Sequence, residues 1–81
     1  MPVIHLPAEL RSLADGQARV ELPGERIRDL LAALYERFPD LEKPISNRMA
    51  VAIDGTIVNH PLNERLSERS EVHVLTRIAG G

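Results

Sequence analysis

The sequence predicts an α+β domain in which one amphipathic helix covers one face of a mixed sheet. Two short N-terminal stretches carry the two-residue apolar period of strands, residues 27–38 carry a helical period, and three more strand-like stretches follow. At 81 residues the chain has room for one small core. Its content of 43% hydrophobic and 27% charged residues is that of a folded domain rather than a disordered one.

The elements follow in order. Val3 to Leu6 alternates Ile4 and Leu6 with Val3 and His5 and reads as the first strand. Ala14-Asp15-Gly16 supplies a turn, after which Ala18, Val20 and Leu22 alternate with Arg19 and Glu21, so a hairpin is expected. Pro23-Gly24 ends that strand. From Glu25 onward Ile27, Leu30, Leu31, Leu34 and Phe38 form one helical stripe, with Gly24 as cap and Pro39 ending the helix near Arg37. Asp40 to Arg48 is polar, contains Pro44, shows no period and reads as a surface crossover.

Met49, Val51 and Ile53 then alternate with Ala50 and Ala52 up to Asp54-Gly55, a strong tight-hairpin signal, and Thr56-Ile57-Val58 returns. Leu62 and Leu66 are expected to tuck a short helical turn inward. Glu71 to Arg77 makes the fifth strand, with Val72 and Val74 inward. If the first and last strands pair in parallel at the centre, all these aliphatics meet in one core. That is the β-grasp, or ubiquitin-like, arrangement, with four to five strands under one main helix. Residues 1–77 are read as the domain and 78–81 as a flexible tail.

Composition narrows the function. With no cysteine there is no disulfide framework, thiolate metal cluster or cysteine nucleophile. A net charge of −2 and only two aromatics, Tyr35 and Phe38, argue against nucleic acid as a partner. No stretch has the roughly 20 apolar residues of a membrane span, and the N-terminus lacks a leader pattern, so a cytoplasmic location is expected. His5 and His73 would lie on adjacent strands, but nothing completes a metal coordination shell, and no metal is expected. Ser12, Ser46, Ser67 and Ser70 lack a nucleophile motif, and His60 reads as a solvated turn residue.

The chemistry is concentrated at Gly80-Gly81. Two residues without Cβ atoms form a segment thin enough to thread a narrow channel. A free α-carboxylate there can attack the α-phosphate of ATP, giving an acyl-adenylate open to a sulfur or amine nucleophile. The chain has no phosphate loop, so any activation would need a separate enzyme, and the chain would be a co-substrate rather than a catalyst.

Leu6-Pro7-Ala8-Glu9-Leu10-Arg11, Val51-Ala52-Ile53-Asp54-Gly55, His60-Pro61-Leu62 and Ile78-Ala79-Gly80-Gly81 together resemble the ThiS/MoaD family of sulfur carriers. Glu71 to Arg77 is also similar to the last strand of ubiquitin. The resemblance implies that an E1-like enzyme adenylates Gly81 and that a thiocarboxylate forms there. Sulfur would then pass to a synthase or its large subunit, making molybdopterin, thiamine thiazole, cysteine, thiolated tRNA or a thiolated metabolite. ATP and a sulfur donor would act through the partner, with no cofactor bound to this chain. Arg77, Ile78, Ala79 and Gly80 would thread the partner's active site, and His5, Ala50, Ala52, His73 and Leu75 would form the docking face. A ubiquitin-like modifier joined through Gly81 to lysines, and an interaction module with an inert tail, are the competing readings. Lys43 is the only lysine, which disfavours polymeric chains.

Overall fold

The computed structural model describes residues 1–76. Strands β1 (Val3–His5), β2 (Arg19–Glu21), β3 (Met49–Ile53), β4 (Thr56–Val58) and β5 (Glu71–Thr76) form one sheet in the order β2-β1-β5-β3-β4. Its centre is parallel, with Ile4 beside Val72 and His5 beside His73, while β2, β3 and β4 join antiparallel. This is the β-grasp arrangement, and helix α1 (Ile27–Arg37) packs on one face of the sheet.

Helix α1 is built by its stripe. Ile27, Leu30 and Leu34 are completely buried, and Leu31 and Phe38 nearly so, among Ile4, Val20, Val51, Val72 and Val74 of the sheet. The N-terminus is set differently from the sequence reading. Arg26, not Gly24, is the N-cap, and it makes no side-chain cap bond. A distant segment substitutes for one: the Ile27 amide donates to the Glu64 carbonyl at 3.0 Å, and the Leu66 amide donates to the Glu25 carbonyl at 2.8 Å. Gly24 instead permits close packing, since a Cβ there would lie 2.7 Å from the Leu30 nitrogen. Phe38 leaves helical geometry before Pro39, as steric conflict with the proline ring requires.

The crossover over residues 40–48 is helical rather than irregular. A 3-10 turn, Pro39–Leu41, leads into helix α2 (Glu42–Arg48), and Leu41 and Ile45 insert into the core. Pro44 is tolerated because it sits in the first turn, where the missing amide has no intrahelical partner to lose. The expected N-terminal hairpin keeps its antiparallel pairing, with a 3-10 helix over Ala8–Ala14 in its connection. The turn after β3 is as tight as its residues suggest: Asp54 and Gly55 have φ of 48° and 88°, and Ile53 pairs with Thr56. In the 3-10 turn Pro61–Asn63, Leu62 stays outside the core and is 51% exposed, contrary to expectation. Leu66 alone packs against the core, held by the pairing of Arg26 with Arg65.

Candidate functional site

Alternation along the strands sends one set of side chains under α1 and the other onto the open face of the sheet. Register then decides neighbours. His73 of β5 lies between His5 of β1 and Ala52 of β3, and Leu75 lies beside Ala50. The imidazoles of His5 and His73 stack with centroids 4.2 Å apart and planes 6° from parallel. His5 Nε2 lies 2.9 Å from Glu71 Oε1, and since a carboxylate only accepts, the imidazole N–H is the donor. Stacked rings do not converge their nitrogens on one point, and among the described residues no group of three or more potential metal ligands occurs.

Of the five residues assigned to the docking face, four offer surface. His5, His73 and Ala50 are partly exposed and Leu75 is 36% exposed. Ala52 shares their face but is 5% exposed, because its single methyl lies between His73 and Ile57 in the flanking strands. Ile57 was missed. It is opposite Ala52 on β4 and, at 63% exposed, is the most exposed large apolar side chain of that face. The two-residue turn at Asp54-Gly55 is the signal that could have found it, since that turn fixes the register of β4 against β3.

The strand end nearest the tail is held from two sides. Thr76 pairs with Met49 of β3, and its hydroxyl donates to the Glu9 carboxylate. The assigned tail residues Arg77, Ile78, Ala79, Gly80 and Gly81 lie outside the described residues. The Ser46 hydroxyl donates to the Glu42 carbonyl at 2.7 Å and Ser67 bonds with Ser70, both local structural uses.

On the helix side, beside β4, lies a half-open cavity of about 440 Å³ between α1, α2 and the β3–β4 hairpin. Leu31, Ile45, Met49, Val58 and Leu62 give it apolar walls, and among the described residues Arg28 is its one charged lining residue. Tyr35 also lines it. Burial, and secondarily the Glu42 carboxylate, push the Tyr35 hydroxyl from 10.0 up to about 12, so it stays a protonated donor at neutral pH.

The ThiS family model matches residues 4–81, nearly the whole chain and both terminal glycines of this sequence. The chain belongs to the ThiS family. It is therefore a small ubiquitin-fold protein of the sulfur-carrier or modifier type, whose members are not themselves catalysts. Solved structures agree on the fold. A chain of the Amycolatopsis orientalis BexX/CysO complex superposes with a TM-score of 0.88 at 17% identity, covering 100% of both chains. The small archaeal modifier protein 1 (SAMP1) of Methanosarcina acetivorans gives 0.85 at 25% identity, over 99% of this chain and 95% of that one. Mycobacterium tuberculosis CysO gives 0.87 at 12% identity, over 96% and 100%. No curated protein sequence matches the chain significantly. Among the described residues, no helix is long and apolar enough to cross a membrane.

Proposed function

We propose that this ThiS-family chain carries sulfur on Gly81. The supporting observation is that the family match runs through Gly80-Gly81 instead of stopping at the folded body. In the proposed sequence a Gly81 carboxylate oxygen attacks the α-phosphorus of ATP and pyrophosphate leaves. A sulfide-level nucleophile then adds to the acyl carbonyl, and the carbon–oxygen bond to AMP breaks, leaving the thiocarboxylate. Both steps take place in an E1-like partner, and a second partner consumes the sulfur. His5, Ala50, His73, Leu75 and Ile57 provide the docking surface for these partners, with apolar centre and polar margin as in other transient contacts.

The test is intact mass after incubation with ATP, an E1-like enzyme and sulfide. Oxygen-to-sulfur exchange at Gly81 is the expected result. Deleting Gly81, or replacing it with valine, should abolish pyrophosphate release and leave the melting curve unchanged, because reaction at a terminal carbonyl requires its placement. Release of pyrophosphate from ATP with the truncated chain as substrate would overturn the proposal. A second reading, conjugation through Gly81 to protein lysines, draws on the 25% identity with SAMP1, a protein named as a modifier. It uses the same adenylate and is distinguished by high-mass adducts.

A further inference from the structure

Among the described residues the sheet ends in two unpaired edges, β2 and β4, that are protected unequally. At β2 the Leu6 amide bonds the Ala18 carbonyl at 2.8 Å and the Leu22 amide bonds the Pro2 carbonyl at 3.2 Å. Alternation of an antiparallel ladder therefore turns the free backbone groups of β2 outward at Arg19 and Glu21, both charged and exposed. Such charges guard an edge against strand addition. At β4 the two-residue turn makes Ile53 and Thr56 a hydrogen-bonded pair, so the next pair, Ala52 and Ile57, is not. The outward amide and carbonyl of β4 thus belong to Ile57, whose side chain is 63% exposed. Thr56-Ile57-Val58 contains no charge and no proline.

Both sides of this edge are apolar. Ile57 continues the open face, while Val58 and the half-exposed Leu62 belong to the cavity wall on the helix side. A strand added to β4 would send alternate side chains to these two surfaces. Arg28, the one charge in the cavity lining among the described residues, donates to the Asn63 side chain and has no carboxylate partner among them. It stands where the chain leaves β4 through Asn59 and Leu62.

We infer that β4 is a strand-docking edge for an extended segment of a partner protein, a run of aliphatic residues flanked by an acidic residue that pairs with Arg28. Main-chain bonds at Ile57 supply attachment, and the two apolar surfaces with Arg28 supply selectivity. The inference concerns the folded body alone and holds or fails independently of the chemistry at Gly81.

The test titrates the isotopically labelled full chain with the peptide acetyl-Val-Thr-Ile-Val-Asp-Glu-amide and follows backbone amide shifts and hydrogen exchange. Shifts centred on β4 and slowed exchange of the Ile57 amide are expected. Ile57→Lys, at an exposed position the fold does not need, should weaken binding about tenfold or more. Replacing the peptide's acids by their amides should weaken binding to the parent chain and leave an Arg28→Gln variant indifferent. Absence of binding at millimolar peptide would overturn the inference, as would shifts centred on β2 or an unprotected Ile57 amide. Shifts at β4 that follow protein concentration without peptide would identify a second copy as the occupant and overturn it equally.

Discussion

The two faces of the sheet are written by the same strands and serve opposite ends. Under α1, Ile4, Val72 and Val74 are at most 2% exposed, and they meet a helix stripe that is nowhere more than 7% exposed. On the open face the intervening positions hold His5, His73, Leu75 and Ile57, partly hydrated, with the His5–Glu71 hydrogen bond and the His5–His73 stack among them. The difference teaches where change is costly: side chains on the first face hold the molecule together, and those on the second are free to make contacts elsewhere.

The sharpest way to break this contrast is Leu34→Ala. Removing a completely buried side chain at mid-stripe should cost about 2 to 5 kcal/mol, seen as a lower denaturation midpoint. A loss of about 0.5 kcal/mol, typical of surface changes, would show that the covered face is not the core. Gly24→Ala tests how tightly the helix entrance sits. Its Cβ would meet the Leu30 backbone, which cannot rotate away, and about 1 to 3 kcal/mol should be lost.

Tyr35 probes the limit of the covered face. It is the single tyrosine, so ultraviolet titration reports it alone. Its folded-state pKa is raised above that of the unfolded chain, so its contribution to stability is complete below pH 10 and lost as pH rises to about 12. Ionisation near the ordinary value of 10.0 in the folded chain would place Tyr35 in open solvent. The smallest stability effect is expected of Leu75→Glu, within about 0.5 kcal/mol, while the proposed adenylation by an E1-like partner should fall because docking would strand a charge in an apolar contact. Unfolding of this variant would transfer Leu75 to the core; normal activation would move the docking surface elsewhere.

The features legible along the chain are local or periodic. The stripe from Ile27 to Phe38, the turn at Asp54-Gly55 and the alternation of Val72 and Val74 with His73 and Leu75 each state a structure within a few residues. Gly80-Gly81, with the motifs that accompany it, likewise marks the family without reference to the fold. Only tertiary structure decided the rest. Seven residues of α2, with Pro44 among them, are too short to show a period, and the segment is helical because Leu41 and Ile45 find a core to enter. The cap of α1 comes from Glu64, far along the chain, and the contact of His5 with Glu71 spans 66 positions. Ala52 is covered by its neighbours while Ile57 turns its backbone outward, because burial and edge pairing depend on which strands lie alongside. Periodicity assigns a residue to a face; the strands that pack beside it determine whether that face is covered, bonded or left open.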